Sequence, residues 1–205
     1  MTKAKKIPGV PEQYKGAYHD TESDRYFDNT NLLNQQFEFL KNRFCNINHW
    51  KDYCGKMSAD YKLFDHNGSF IDRAPVEGDF MRIDIPGPGD PEAKGFDWVE
   101  IVKVDNRCYG DELERYLISC RPSKSPDTRN SHIVHFYSEE STSTLVISRG
   151  KNYIKIGIYG RNEVANFSKT GFLGKIRNFL ISLGGFTKAT KLQWKSLADG
   201  LLDFE

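Results

Sequence analysis

The sequence lacks the long apolar segments of exported or membrane-spanning chains. Its longest apolar runs, such as 144–147 and 178–183, are far shorter than the roughly 18 residues that a helix needs to cross a bilayer. The basic start of the chain, from Met1 to Lys6, is not followed by the apolar core of a secretory signal. We therefore expect a cytoplasmic protein that does not insert into membranes.

Cysteine is scarce, and its spacing fits neither a disulfide framework nor a zinc site. No C-x-x-C pair occurs among the four cysteines, which are Cys45, Cys54, Cys108 and Cys120. His132 and His135 are three residues apart in a strand-like run, so their rings would point to opposite faces. We predict reduced thiols, no bound metal and no cofactor.

A strong net charge is missing as well, since 29 basic and 28 acidic residues leave a formal charge of +1. The whole molecule therefore has no field that would steer it to nucleic acid or to an acidic membrane. The charge is uneven, because the stretch 164–198 holds six basic residues and no acidic one. Pairing within the fold, or exposure of these charges to solvent, explains this stretch most simply. A basic helical face for an anionic polymer is the alternative, so nucleic acid stays a partner that we do not favour.

The chain does contain enough apolar and aromatic material for a folded core. Hydrophobic residues make up 38% and aromatic residues 13% of the 205 positions, a length that suits one domain with terminal additions. Residues 1–27 show no period of two or of 3.6, so we expect a poorly ordered lead-in there. We predict one α+β domain over 28–205, helical at 28–58, mainly antiparallel β at 60–160 and helical again at 165–203.

The spacing of apolar residues supports that order of elements. Leucine and phenylalanine recur every three or four residues over 33–44, which predicts one face of a helix. A tight turn at Gly150 should join the strand-like runs 144–149 and 153–159 into a hairpin. Because no helices separate the strands, we predict a strongly bent antiparallel sheet or small β-barrel, flanked by N- and C-terminal helices.

A long connection rich in proline and glycine is the most distinctive segment. About a dozen residues, Pro86 to Asp97, join two strand-like runs where a hairpin usually needs roughly two to five. Long ordered loops often carry binding sites, and the alternative is a structural loop that covers a sheet end. We count as candidate ligand-binding residues Asp97, which ends the loop, and Arg82, which alternation places on one face of the preceding strand with Phe80 and Asp84.

Glu100 is a candidate because alternation places it on one face with apolar residues, namely Trp98, Val102 and Val104. A carboxylate in such surroundings needs a cationic or hydrogen-bonding partner, or else its pKa rises. We expect Arg82 or Arg161 within salt-bridge distance of Glu100. The pair would be either part of a site or a structural ion pair.

Arg161 and Glu163 are the remaining candidates, because they follow the last strand-like run directly. The planar guanidinium of Arg161 could hold a carboxylate or phosphate in a fork, with Glu163 orienting it. The alternative is that both side chains lock a joint between strand and helix.

Four strings of the sequence are distinctive when taken together. They are Arg82-Ile-Asp-Ile-Pro-Gly-Pro-Gly89, Asp97-Trp-Val99, Gly160-Arg-Asn-Glu163 and Gln193-Trp-Lys195. In these strings the chain resembles a family of uncharacterised bacterial proteins of the Bacteroidetes type, over roughly residues 30–202. The resemblance implies a bacterial cytoplasmic origin and brings no activity, cofactor or catalytic residue.

The residues themselves favour a non-catalytic binding protein. Its ligand, a small molecule or a protein, would meet the Pro86–Asp97 loop together with Arg161 and Glu163. The first alternative is a small acid–base enzyme of the hydrolase type that uses carboxylates such as Asp97 and Glu100. The second is an anionic-polymer binder that uses the basic C-terminal helices.

Overall fold

The described part of the chain folds around one seven-stranded antiparallel sheet. The computed structural model describes residues 3–54, 59–84, 96–126, 133, 135, 137–164 and 186–204, with the backbone alone over 186–192. In chain order the strands are β1 (Ala17–Tyr26), β2 (Asp60–Phe64), β3 (Phe80–Asp84), β4 (Asp97–Asp105), β5 (Glu114–Pro122), β6 (Thr142–Arg149) and β7 (Tyr153–Glu163). The helices are α1 (Thr30–Cys45), α2 (Trp50–Cys54) and α3 (Phe186–Leu201), with a 3₁₀ turn at Ile47–His49.

The order of strands across the sheet is β1-β7-β6-β5-β4-β3-β2, and each neighbouring pair is antiparallel. The predicted α+β class and antiparallel sheet are thus confirmed. The described strands do not close into a barrel, because β1 and β2 occupy opposite edges and do not pair with each other.

The hairpin predicted around Gly150 is also confirmed. β6 and β7 pair from Thr142 opposite Arg161 to Arg149 opposite Ile154. The N–H of Gly150 donates to the carbonyl of Tyr153 at 3.0 Å, which closes the turn.

One side of the sheet, here called the helix face, packs against the helices. Alternate strand residues such as Ile101, Ile147 and Ile156 point to it and are fully buried. The side chain of Asn29 begins α1 by accepting hydrogen bonds from two N–H groups of its first turn. The buried stripe of α1 is the predicted one and consists of Leu33, Phe37, Leu40 and Phe44.

α3 packs against β1 and α2 on the same face of the sheet. The Ser23 hydroxyl of β1 donates to Asp199 of α3 at 2.7 Å and accepts from Lys195 at 2.8 Å. Arg43 of α1 donates to backbone carbonyls at the C-terminal end of α3. A cation is favourable there, because the last carbonyls of a helix carry partial negative charge.

The prediction that residues 1–27 form a poorly ordered lead-in is wrong. Ala17–Tyr26 is the edge strand β1, paired with β7 along its length. Residues 3–16, here called the strap, run over the side of the sheet opposite the helices, here called the strap face. There Ile7 and Val10 of the strap pack against an apolar group that consists of Leu117, Val146 and Tyr159.

Asn162 fastens the strap to β7. Its side-chain oxygen accepts hydrogen bonds from the N–H groups of Tyr14 and Lys15 at 3.0 and 3.3 Å, and its amide nitrogen donates to the Glu12 carbonyl at 3.0 Å. Asn162 has a φ of 54°, in the left-handed region that asparagine tolerates better than most residues. Its side chain and its unusual backbone therefore serve the same junction.

Some predicted features lie outside the described residues. They are most of the Pro86–Asp97 loop, most of the strand-like run 133–137 and the first part of the C-terminal helical region, 165–185. In the part of the chain that the structure does describe, no helix is long and apolar enough to cross a bilayer.

We predict that Asn162→Ala lowers the free energy of unfolding by roughly 2–4 kcal/mol, because it removes three hydrogen bonds and places a less suitable residue at positive φ. Asn162→Gly loses the same bonds without the backbone strain, so it should cost less than Asn162→Ala. Urea denaturation of both variants separates the cost of the lost hydrogen bonds from the cost of the backbone strain. Equal and negligible effects would show that the Asn162 side chain does not contribute to stability by fastening the strap.

The four cysteines, none of which is in a disulfide, should differ in reactivity. Burial raises the pKa of Cys54 and of Cys120 to about 12, whereas Cys108 is exposed. Because the thiolate is the reactive form, iodoacetamide near pH ~8.5 should modify Cys108 first and the two buried thiols only after unfolding. Peptide mass mapping over time measures this order. Early modification of Cys120 in the folded protein would contradict it.

Candidate functional site

The antiparallel register gathers several polar residues at one end of the sheet, here called the loop end. This end contains the start of β1, the end of β7, the start of β4 and the end of β3. Both flanks of the Pro86–Asp97 loop are therefore at the same end as Glu163. Asp97 is buried at this end, beside Ile83 of β3.

A β-bulge in β7 decides which way the residues at the loop end point. His19 is opposite Gly160, but Ala17 is opposite Glu163, so β7 has one more residue than β1 in this interval. In a regular strand, Gly160 and Glu163 would point to opposite faces. The extra residue, with Asn162 at positive φ, brings Glu163 back to the helix face beside His19.

His19 and Glu163 form a buried pair on the helix face. The His19 Nδ1 and the Glu163 Oε1 are 2.7 Å apart, and the two side chains are only 2% and 3% exposed. Because a carboxylate accepts hydrogen bonds and does not donate them, the proton of this bond is on Nδ1. In the neutral imidazole, Nε2 is then a hydrogen-bond acceptor, a base or a metal ligand.

Trp194 of α3 covers the histidine ring. The two ring centroids are 6.0 Å apart and the ring planes differ by 14°, which is a stacked arrangement. Trp194 is half-buried and also packs against the main core. The helix thus holds the imidazole from one side while the Glu163 carboxylate fixes its rotation.

Two buried ring nitrogens of this cluster have no hydrogen-bond partner in the described part of the protein. They are the Nε2 of His19 and the Nε1 of Trp194. A buried polar atom without a partner costs about 1–3 kcal/mol. Such a cost, on two stacked rings at the edge of the core, marks the His19–Glu163–Trp194 cluster as the candidate site.

Glu163 is therefore part of the candidate site, whereas Arg161 points to the strap face. The Arg161 guanidinium is 1% exposed and is 2.7 Å from the Asp20 carboxylate. It also donates to the backbone carbonyls of His19, Gly160 and Lys5 at 3.1, 2.8 and 2.8 Å. Three hydrogen bonds and one ion pair thus engage the guanidinium within the protein, and Arg161 connects β1, β7 and the strap.

The predicted partner of Glu100 is wrong. Glu100 pairs with Arg121, its direct neighbour on β5, at 2.9 and 3.1 Å, and both side chains are partly exposed. A second bulge, between Ile101 and Lys103, interrupts the alternation of β4. Glu100 thus shares the strap face with Trp98, but Val104 lies on the other face, so the expected apolar surroundings do not form.

Arg82 is also on the strap face, on the same side as Phe80 as predicted, and it binds aromatic rings. Its guanidinium carbon is 4.1 Å from the ring centroid of Phe96 and 5.4 Å from that of Phe64. The five candidates are therefore divided between the two faces. Asp97 and Glu163 share the helix face and the loop end, separated by three strand spacings of about 4.8 Å.

Sequence reasoning did not find His19, and it noted Trp194 only as the middle residue of the Gln193-Trp-Lys195 string. His19 was hidden because β1 has no apolar alternation that would reveal a strand. No local signal could have found the pair, because a histidine and a tryptophan that become buried look like surface residues until their elements are placed.

Among the residues that the structure describes, no three His, Cys, Asp or Glu side chains lie close enough together to hold a metal ion. The pair His19–Glu163 alone supplies two potential ligands, and the hydrogen bond between them already uses Nδ1 and one carboxylate oxygen.

Comparisons with known proteins leave the site to be interpreted from its own chemistry. No protein-family profile matches the chain, and no curated protein matches it. Among solved structures, the chain is similar to the protein TTHA0849 from Thermus thermophilus, with 13% sequence identity, coverage of 90% of this chain and 95% of that chain, and a TM-score of 0.31. A TM-score of this size supports no conclusion about fold or function.

Gly160 should be necessary for the buried pair, because a methyl group there would overlap both the Glu163 carboxylate and the His19 ring. We predict that Gly160→Ala destabilises the fold by about 1–3 kcal/mol and separates the two side chains. Denaturation and the ¹⁵N imidazole shifts of His19 measure the two effects. Ser143→Ala, at the residue opposite Gly160 on β6, is the control and should change neither. An unperturbed His19 signal in Gly160→Ala would contradict this account.

Proposed function

We propose that this chain is a non-catalytic binding protein that holds a small polar molecule at the loop end of the helix face. The observation that supports the proposal is the pair of buried ring nitrogens on His19 and Trp194, for which the described residues supply no hydrogen-bond partner. In binding sites, a few polar groups placed in mainly apolar surroundings fix the orientation of the ligand. The resemblance to the Bacteroidetes family brings no activity, so the proposal depends on these residues.

The two nitrogens define the chemistry of the ligand. The indole N–H of Trp194 donates, and the Nε2 of a neutral His19 accepts. A ligand can bond to both nitrogens if it carries an acceptor for Trp194 and a donor for His19. These two ligand groups should be no further apart than two stacked rings. Short carboxylic acids in their protonated form, hydroxy acids and primary amides all have this pair of groups.

Glu163 and Arg161 act on this site indirectly. Glu163 fixes the tautomer and rotation of the His19 ring, which directs Nε2 to the ligand. Arg161 holds β1 against β7 from the other face, so it positions the strand that carries His19. The Pro86–Asp97 loop, whose flanks lie at the same sheet end, would border the ligand. We keep a bacterial cytoplasmic setting as part of the proposal.

An acid–base enzyme is the second candidate, and one observation favours it. A carboxylate bonded to the Nδ1 of a buried histidine is the arrangement that prepares Nε2 to accept a proton. Catalysis would also need a second reacting group within reach of Nε2; Asp97 shares the face and the sheet end with His19 but lies four strands away, so this candidate has less support than binding. In this case Glu163 is a positioning residue and His19 is the base.

The anionic-polymer hypothesis has little support from the described residues. Lys195 is the member of the basic set whose side chain the structure describes, and its ammonium group is 2.5 Å from Asp199 and 2.8 Å from the Ser23 hydroxyl. It therefore contributes to the contact between α3 and β1.

The binding proposal predicts a ligand-dependent change at His19 and Trp194. We would titrate ¹⁵N-labelled protein with hydroxy acids and primary amides and record the imidazole and indole ¹⁵N–¹H signals. Trp194→Phe keeps the stacked ring and removes one donor, so it should weaken binding about fivefold. Trp98→Phe, in the aromatic group of the strap face, is the matched control and should bind normally.

Two outcomes would decide between the hypotheses. If the ligand binds without perturbing His19 or Trp194, or binds Trp194→Phe and wild type equally, the site is elsewhere. If a ligand is converted to a product that NMR detects, and His19→Gln abolishes the conversion but not binding, the protein is the acid–base enzyme.

A further inference from the structure

A concave site lies on the strap face, on the opposite side of the sheet from the His19 cluster. It is a groove of about 590 Å³ between the strap, the turn that contains Tyr109 to Glu112, and the outer half of β1. Val146, Gly157 and Tyr159 form its floor. The groove shares no residue with the His19–Glu163–Trp194 cluster.

Tyrosines line this groove. They are Tyr26, Tyr109, Tyr153 and Tyr159. Tyr26 and Tyr153 are paired across β1 and β7, with ring centroids 6.4 Å apart and ring planes tilted by 53°, so their faces form an open angle. Tyr26 is 70% exposed, which leaves one wall of the angle accessible.

The groove also carries an excess of negative charge. Four acidic side chains line it against two basic ones, and these are Glu22, Asp24, Asp111, Glu112, Arg115 and Lys155. The Tyr153 hydroxyl donates to Asp111 at 3.2 Å. Burial and the neighbouring Asp111 carboxylate raise the pKa of Tyr153 to about 12, so the phenol stays neutral and its ring face keeps its attraction for cations.

Internal pairing accounts for half of these acids. Glu112 accepts two hydrogen bonds from Arg115 at 3.0 and 3.1 Å, and Glu22 is 2.6 Å from Lys5 and 3.2 Å from Lys155. Both basic side chains of the groove are therefore engaged.

Asp24 and Asp111 remain, and neither has an ion pair with a described residue. These two carboxylates lie beside the Tyr26–Tyr153 angle, because Asp24 is two residues from Tyr26 on β1, opposite Lys155 of β7, and Asp111 accepts from Tyr153. Arg115 already sits 5.1 Å from the ring centroid of Tyr109, so this groove accommodates a cation against a tyrosine.

We propose that the strap-face groove binds a small organic cation of the alkylammonium class. The alkyl groups pack in the angle between Tyr26 and Tyr153, where the ring faces attract the positive charge. The carboxylates of Asp24 and Asp111 supply the opposite charge. A quaternary ammonium suits this site better than a metal ion, since aromatic faces offer no lone pairs for coordination.

Choline is the probe that tests this proposal, and 3,3-dimethylbutan-1-ol, its neutral analogue of the same shape, is the matched ligand control. The protein is labelled with ¹³C in its tyrosine rings and titrated with each compound. We expect choline to shift the Tyr26 and Tyr153 signals in a saturable way and the alcohol to leave them nearly unchanged. Added salt should weaken the binding, because the attraction is electrostatic.

Variants then locate the site. Tyr26→Leu should weaken choline binding about two- to fivefold, as expected for one cation–π contact, and Asp24→Asn should weaken it by a similar factor. Tyr14→Leu and Asp28→Asn change an exposed tyrosine and an exposed aspartate outside the groove, and choline should bind both variants like wild type.

Three results would overturn the proposal. One is no shift of Tyr26 or Tyr153 at about 50 mM choline, a concentration that nearly fills a site of millimolar affinity. Another is equal binding of choline and the alcohol, which would make the groove merely apolar. The third is a loss of binding in Tyr14→Leu that equals the loss in Tyr26→Leu. Each result is independent of whether the His19 cluster binds a ligand.

Discussion

The extra residue in β7 is the constraint on which the rest of the loop end depends. Arg161 and Glu163 are two residues apart and would share one face of a regular strand. With Asn162 in the left-handed conformation between them, they point to opposite faces. Arg161 then holds β1 and the strap on one side of the sheet, while Glu163 holds His19 on the other. A single irregularity thus provides both the fastening of the N-terminal segment and the orientation of the candidate site.

The regular parts of the fold could be predicted from the sequence because their apolar residues are periodic. The α1 stripe and the β6–β7 hairpin are examples, since burial selects leucine, isoleucine and phenylalanine at fixed intervals. β1 was missed for the opposite reason. It fills its buried positions with His19, Thr21 and Ser23, and His19 and Ser23 hydrogen-bond to side chains from distant parts of the chain.

The candidate site was predicted only in part, and bulges explain the difference. The alternation of side chains along a strand assigns each residue to the correct face of the sheet up to the first bulge. Beyond the bulge it assigns residues to the wrong face. It placed Arg82 with Phe80 correctly, because β3 is regular. It failed at Val104, which follows the β4 bulge, and it gave no reason to separate Arg161 from Glu163. An asparagine in the sequence does not by itself indicate a bulge. The bulge is recognised only when Asn162 is seen at positive φ and its partner strand is known.

The pairing of β1 with β7 has a consequence for how the protein is made. Tyr26 pairs with Tyr153 and Ala17 with Glu163, so β1 leaves the ribosome before the five intervening strands and waits for its partner until β7 is synthesised. An apolar strand in that position would expose an unpaired, aggregation-prone edge until its partner is available. The nascent β1 instead carries charges along its length, including Asp20, Glu22, Asp24 and Arg25, which keep it hydrated. The polar composition that conceals β1 in the sequence is thus also a protection of the unfinished chain against aggregation.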